Sequence, residues 1–144
     1  MKAVIQKALK VMETEFKKGE GKYNRSRLMK DYLRLQLGSE KEEVFGVAFL
    51  NTQFELLGFE KLFRGSVTEA SVPPRAIIRK VFEYNASRIV LAHNHPSGKA
   101  RPSDADIELT KKFKPLFDLI DCPIIDHVIV SALDVYAMAD HGYI

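Results

Sequence analysis

Hydrophobic positions in the first 40 residues recur at the spacing of amphipathic helices. A first helix is predicted over 3–17, with Gly19 placed to end it; its apolar positions are Ile5, Ala8, Leu9, Met12 and Phe16. A second, shorter helix is predicted to start near Asn24 or Ser26 and to stop at Gly38. Each helix has one apolar face, so each must pack against another element.

The hydrophobic pattern changes at residue 44. Residues 44–50 read VFGVAFL, an uninterrupted apolar run that is typical of a strand buried on both faces. A turn is predicted at 51–53 and a returning strand over 54–63. These two strands should therefore form an antiparallel hairpin.

Strands and helices alternate in the second half of the chain. A helix is predicted to begin at Pro73 and Pro74 and to end at Asn85, and a strand follows over 88–93. The last predicted elements are a helix over 103–117 and strands over 124–130 and 135–138. This order predicts an α/β fold, in which ligands bind beyond the carboxyl ends of strands.

Composition narrows the class of protein. With 144 residues, 46% of them hydrophobic and 28% charged, the chain has the material for one hydrophobic core. The single cysteine, Cys122, excludes an internal disulfide and a cysteine-based zinc cluster, and it favours a reducing compartment. No stretch approaches the roughly 20 apolar residues of a membrane span. We therefore expect a cytoplasmic protein that does not contact a membrane.

Positive charge is concentrated in the N-terminal segment. Residues 1–40 hold 10 Lys and Arg against 5 acidic residues, whereas residues 41–144 hold 12 against 14. The ordinary interpretation is a solvated helix surface. The alternative is a face that attracts nucleic-acid phosphates or an acidic partner.

Two histidines follow the predicted strand at 88–93. His93 and His95 are two positions apart in an extended segment, so their rings project to the same side and can converge on one metal ion. The pairing alone is a weak signal, because His-x-His also occurs by chance. The segment that follows it supplies a candidate for a third ligand.

This segment turns back at Ser97-Gly98 and opens a helix at Ser103. If Ser103 is the N-cap, Asp106 occupies the third helical position, and its carboxylate can reach the histidines. Two imidazole nitrogens and one carboxylate oxygen are the ligand set of a catalytic zinc site. The same pair could instead be a capping box, and Asp104 is a competing carboxylate.

A general base for a metal-activated water must come from elsewhere in the chain. Glu42 and Glu43 directly precede the most apolar strand, where two charged side chains would be unusual without a function. In an extended segment their side chains point to opposite faces, so only one of them should face the site. The alternative is an ordinary polar start to the strand.

Taken together, these residues resemble the JAMM motif of the JAB/MPN metalloprotease fold. That motif consists of a glutamate, the sequence H-x-H-P, six further residues and S-x-x-D; it matches Glu43, His93-Asn94-His95-Pro96 and Ser103-Asp104-Ala105-Asp106. The resemblance extends to bacterial RadC-like proteins over roughly residues 26–144. It is carried by Arg64-Gly65-Ser66, Pro74-Arg75, Asn85-Ala86, His93 to Gly98, Pro102-Ser103 and Asp126-His127.

The resemblance implies roles for particular residues. It implies a zinc ion (Zn²⁺) held by His93, His95 and Asp106, with Glu43 as general acid and base. It also implies that Ser103 stabilises the oxyanion of a tetrahedral intermediate. The reaction implied is hydrolysis of a peptide or isopeptide bond in a peptide or protein substrate.

The resemblance also implies a fold. This is a three-layer α/β/α JAB/MPN fold with a mixed, curved sheet, similar to that of cytidine deaminases. Residues 22–144 would form this domain, preceded by a basic amphipathic helix at 1–21. The chain departs from the family pattern at 72–76, where VPPRA replaces V-H-P-R-E, and in having only a short basic helical segment where full-length members carry a helix-hairpin-helix region. We therefore expect a stand-alone catalytic module.

Other functions are also open at this point. A DNA-associated RadC-type accessory protein would bind nucleic acid through the basic N-terminal segment without cleaving an amide. A metal-free scaffold would normally have lost the ligand residues, which this chain keeps. A non-haem iron enzyme would use two histidines and a carboxylate in an octahedral site.

The segment Asp126-His127 could lie behind the metal, or His127 could be an ordinary histidine at a sheet edge.

Overall fold

The computed structural model describes residues 2–18, 22–68 and 71–144. Its elements are α1 (Lys2–Lys18), α2 (Lys22–Leu37), β1 (Val44–Leu50), β2 (Leu56–Arg64), α3 (Pro74–Tyr84), β3 (Arg88–Asn94), α4 (Asp104–Leu119), β4 (Ile124–Val130), β5 (Val135–Ala137) and a closing 3-10 turn (Met138–His141). The predicted helices and strands are all present. Gly19, the predicted end of α1, and the side chain of Phe16 lie outside the described part.

The five strands form one mixed, open sheet in the order β2-β1-β3-β4-β5. The predicted hairpin is confirmed, because β1 pairs antiparallel with β2, and Val47 lies opposite Glu60. β1 also pairs antiparallel with β3, with Phe45 opposite His93. Only β3 and β4 pair in parallel among the described strands, and α4 is the crossover between them. This crossover brings the start of α4 to the carboxyl end of β3.

Helices cover both faces of the sheet, which confirms the three-layer α/β/α architecture. Alternate positions of β1 point to opposite faces, so Ala48 packs in a core with α1 and α2, whereas Phe49 packs in a second core with α3 and α4. Ile89 and Leu91 of β3 belong to this second core. His93 continues their alternation and therefore faces the same layer as α4.

Local features explain two of the element boundaries that differ from the prediction. β2 begins at Leu56 rather than at Phe54, because Phe54 adopts a positive φ of 62°. The side chain of Asn51 also accepts the N–H groups of Gln53 and Glu55 in this turn. β5 ends at Ala137, because the chain turns into the closing 3-10 segment.

The first helix packs on the rest of the protein. Leu9 of α1 is only 5% exposed and lies in the same core as Met29 and Leu33 of α2. The division of the chain between residues 21 and 22 stays a prediction. Among the described residues, no helix has the length and apolar character needed to cross a membrane.

Candidate metal centre

The two histidines converge at the carboxyl end of β3. His93 is fully buried, and the side chain of His95 is 15% exposed. Their Nε2 atoms lie 3.1 Å apart. The Nδ1 atom of His95 lies 2.9 Å from the carbonyl oxygen of Lys99, which can only accept a hydrogen bond. The proton of the neutral His95 ring is therefore on Nδ1, and the lone pair of Nε2 faces His93.

Asp106 completes a group of three side chains that could bind one metal ion. Its Oδ1 lies 3.1 Å from His93 Nε2, and its Oδ2 lies 3.1 Å from His95 Nε2. Two ligands about 2.0–2.1 Å from a tetrahedral zinc ion are roughly 3.3 Å apart, so the spacing of these donors fits zinc. Asp104 is exposed and belongs to the same helical turn. The structure therefore brings Asp106, and not Asp104, to the histidines.

The start of α4 holds the Asp106 carboxylate in place. Ser103 Oγ accepts the N–H of Asp106 at 3.1 Å, and Asp106 Oδ2 accepts the N–H of Ser103 at 2.8 Å. This is the capping box that the sequence offered as the alternative to a ligand. The two interpretations are compatible, because one carboxylate caps the helix and faces both histidines.

Electrostatics favour an ionised Asp106. Burial of Asp106 acts to raise its pKa, but the nearby imidazoles of His93 and His95 and the Ser103 N–H outweigh burial and leave the pKa far below the ordinary value. The hydrogen bond to Asp106 raises the pKa of His95, and burial only partly opposes it. Without a metal ion, a proton held between His95 and Asp106 would therefore balance the negative charge of this carboxylate.

Glu43 is the fourth side chain of this cluster, beside the two histidines and Asp106. One ligand atom from each of Glu43, His93, His95 and Asp106 can be chosen so that all four lie within 4.8 Å of one another. Glu42 points elsewhere, since its carboxylate lies 3.6 Å from the Arg64 guanidinium. The structure therefore brings Glu43 to the histidines and leaves Glu42 at the surface.

The backbone around Glu43 is held by Asn94, which lies between the two histidines and is 2% exposed. Asn94 Oδ1 accepts the N–H of Val44 at 2.7 Å, and Asn94 Nδ2 donates to the carbonyl of Glu42 at 3.0 Å. The Glu43 carbonyl itself accepts the N–H of Gly65 at 2.8 Å. The segment that carries Glu43 is thereby tied to the strand that carries the histidines.

Replacing Asn94 with alanine is expected to destabilise the protein. The buried N–H of Val44 would lose its acceptor, which costs about 1–3 kcal/mol in the free energy of unfolding. Urea unfolding of Asn94→Ala beside the parent measures this change, and Gln53→Ala, which removes an exposed amide, is the control. An unchanged free energy of unfolding in Asn94→Ala would contradict the role assigned to the amide.

An open cleft of about 370 Å³ gives access to the site. It is lined by Glu43, Ser66, Val67, His95, Pro96, Ser97 and Ser103. Sequence reasoning did not assign Val67 or Ser97 to the site. The turn at Gly65, with a φ of 99°, brings the segment after β2 to the cleft. In the sequence, a glycine directly after a predicted strand was the one indication of this turn.

His127 lies behind His93 and away from the cleft. It is fully buried in β4, an interior strand, and its Nε2 lies 2.8 Å from His93 Nδ1. Asp126 does not pair with the imidazole; its carboxylate accepts the N–H groups of His127 and Ala139. Burial lowers the pKa of His127 well below its ordinary value, and the nearby His93 adds to this effect. Of the two sequence interpretations, the structure supports a position behind the candidate metal site.

Known proteins are similar to this chain in sequence. The family model described as RadC-like JAB domain matches residues 23–143. A UPF0758 protein from Methylibium petroleiphilum is 48% identical over 79% of this chain and 51% of its own length. UPF0758 proteins from Janthinobacterium and Cellvibrio japonicus are 39% and 35% identical over the whole chain and 64% of their own lengths.

The chain thus spans between about half and two-thirds of the length of these relatives. The name UPF0758 states no activity. The match to the family model nevertheless covers both histidines, the start of α4 and Glu43, together with the complete sheet. The chain belongs to the RadC-like JAB domain family.

Proposed function

We propose that the chain is a zinc-dependent hydrolase of the JAMM type that cleaves a peptide or isopeptide bond. The observation that carries this proposal is the placement of four groups at one cleft. The Nε2 atoms of His93 and His95 lie 3.1 Å apart, and each lies 3.1 Å from one carboxylate oxygen of Asp106. Glu43 lies beside them. Three protein ligands with a nearby carboxylate are the arrangement of catalytic zinc sites that hydrolyse amides.

Each residue has a separate task in this proposal. The histidines and Asp106 would hold the ion, which supplies Lewis acidity to a carbonyl and lowers the pKa of water. The Glu43 carboxylate would take a proton from the attacking water and deliver it to the leaving nitrogen. The Asn94 amide and the Gly65 N–H keep the backbone of Glu43 in place for this transfer.

Ser103 would stabilise negative charge on the substrate oxygen. Its hydroxyl oxygen already accepts the N–H of Asp106, so its own proton remains available for donation. Ser103 also lines the cleft, where the scissile carbonyl would bind. A hydrogen-bond donor at this point would stabilise the transition state more than the ground state, because the oxygen gains charge during attack.

Peptide cleavage tests the proposal directly. The purified protein is stripped with a chelator, reloaded to one zinc ion per chain, and incubated with a mixture of peptides that includes branched lysine isopeptides. Mass spectrometry should detect new termini with the zinc-loaded protein and none with the stripped protein. A fully loaded protein that yields no new termini from linear or branched peptides would contradict the proposal.

Metal analysis and DNA binding distinguish the alternatives. Iron in place of zinc, with octahedral coordination, would indicate the non-haem iron alternative. Nucleic-acid binding through residues 1–40 stays a prediction from the sequence. Its signature is an affinity for DNA that falls steeply as the salt concentration rises, because phosphate contacts release counterions.

A further inference from the structure

A chain of buried polar groups leads away from His93 on the side opposite the cleft. His93 Nδ1 lies 2.8 Å from His127 Nε2, and His127 Nδ1 lies 2.7 Å from Thr110 Oγ1. Thr110 Oγ1 in turn lies 2.8 Å from the backbone carbonyl oxygen of Asp106. His93 and His127 are fully buried, and Thr110 is 1% exposed, so each hydrogen bond is made within the protein.

The position of each proton in this series of hydrogen bonds follows from its last acceptor, the backbone carbonyl of Asp106. A carbonyl oxygen can only accept, so the 2.8 Å contact with Asp106 requires the Thr110 hydroxyl proton. The sulfur of Met138, 3.7 Å from the same hydroxyl, is also an acceptor. With its proton directed away from His127, Thr110 Oγ1 accepts a hydrogen bond. His127 must therefore carry its proton on Nδ1.

The same logic fixes His93. The His127 ring is neutral, because it is fully buried and stacks edge-on against Phe45 with no carboxylate among its hydrogen-bond partners in the described structure. Its Nε2 therefore has a lone pair and accepts a proton from His93 Nδ1. His93 Nε2 is then left unprotonated, directed at Asp106 Oδ1 and at His95 Nε2.

We infer that Thr110 and His127 form a proton-orienting relay that fixes the ligand tautomer of His93 and thereby sets the zinc affinity of the site. This inference rests on the metal site in the proposed function. Thr110 is a positioning residue, because its hydroxyl reaches the histidine ligand only through His127. In the other tautomer, His93 would direct an N–H from Nε2 at Asp106 and could not bind a metal ion through that atom.

Removing the Thr110 hydroxyl should weaken zinc binding from a distance. In Thr110→Val the His127 Nδ1–H loses its acceptor, so the tautomer of His127 protonated on Nε2 becomes competitive. That tautomer forces His93 to accept on Nδ1 and to carry its proton on Nε2. We expect zinc affinity to fall about 10- to 100-fold, the range found when an outer partner of a metal ligand is lost. Thr110→Ser keeps the hydroxyl and should bind zinc like the parent.

His127 offers a second matched pair of variants. In His127→Gln the side-chain oxygen can accept from His93 Nδ1 while the amide nitrogen donates to Thr110, so zinc affinity should be retained in large part. His127→Phe keeps a planar aromatic ring but has no acceptor, and its zinc affinity should fall like that of Thr110→Val. Circular dichroism of each variant verifies that the fold is intact.

Two measurements decide the inference. Competition with a chromophoric chelator gives the zinc affinity, and nitrogen-15 NMR of the histidine rings in the metal-free protein shows which nitrogens carry protons. Support requires His93 protonated on Nδ1 in the parent and a shift toward Nε2 in Thr110→Val. It also requires weaker zinc binding in Thr110→Val and His127→Phe, with affinity retained in Thr110→Ser and largely retained in His127→Gln. Equal zinc affinity of the parent, Thr110→Val and Thr110→Ser would overturn the relay.

These readouts separate the relay from the proposed function. If the zinc-loaded protein cleaves no peptide, the affinities still test the relay, because they require no catalysis. If the parent binds no zinc, the metal site fails. The ring-nitrogen spectra then decide the tautomer relay alone: protonation of His93 on Nδ1 supports it, and protonation on Nε2 overturns it.

Discussion

Zinc should be lost when Asp106 is replaced with asparagine, although the protein should remain folded. Asparagine keeps the size of the side chain and an oxygen that can accept the Ser103 N–H, so the helix cap can persist. It removes the negative charge and directs an amide at the imidazole nitrogens. We expect zinc affinity to fall by more than about 100-fold, beyond the range for outer partners of a metal ligand. Elemental analysis of the purified proteins measures the loss.

Asp104→Asn is the matched control for this variant. Asp104 belongs to the same first turn of α4 and carries the same charge, but its side chain is exposed. A general effect of charge near the helix start would therefore appear in both variants. Retention of zinc in Asp106→Asn, or an equal loss in Asp104→Asn, would contradict the ligand role of Asp106.

Replacing Glu43 with glutamine should separate zinc binding from catalysis. The three ligands from His93, His95 and Asp106 remain, so Glu43→Gln should still bind one zinc ion per chain. Glutamine cannot take up a proton, so the rate of peptide cleavage should fall about 10²- to 10⁴-fold, the range for loss of a general base. The rate is measured on a peptide identified in the screen with the zinc-loaded parent.

Glu42→Gln controls for the loss of one negative charge beside the cleft. Its carboxylate lies 3.6 Å from Arg64 at the surface, so neither zinc content nor cleavage rate should change. If Glu43→Gln cleaves as fast as Glu42→Gln, Glu43 is not the base. If Glu43→Gln instead loses its zinc, Glu43 is a ligand and the assignment of roles must be changed.

Local pattern was sufficient to predict much of the architecture. The uninterrupted apolar run of β1 and the alternation that continues to His93 depend on neighbours in the sequence, and the sheet confirms both. The position of the Asp106 side chain could also be predicted from the sequence, because a capping box places the side chain of the third helical residue over the N-cap. The sequence alone could not decide between capping and a position at the histidines, because the same carboxylate caps the helix and faces both histidines.

Contacts between distant strands could not be predicted in this way. Glu43 and Glu42 are chemically identical, and the choice between them depends on the register of β1 against β3 and on the Asn94 amide. The contact of His127 with His93 depends on the parallel pairing of β3 and β4. Thr110 gave no signal in the sequence, because its importance lies in the crossing of α4 over β4.

The double use of the Asp106 carboxylate has a consequence for how the site acquires its metal. In many small zinc domains the ligands are scattered until the ion gathers them, and much of the binding energy is used for folding. Here the helix cap fixes Asp106, and the Lys99 carbonyl orients His95. The donor set is thus preorganised by the ordinary hydrogen bonds of the fold. A metal ion that binds here would therefore leave and return without unfolding the chain, and little of its binding energy would be consumed in ordering the ligands.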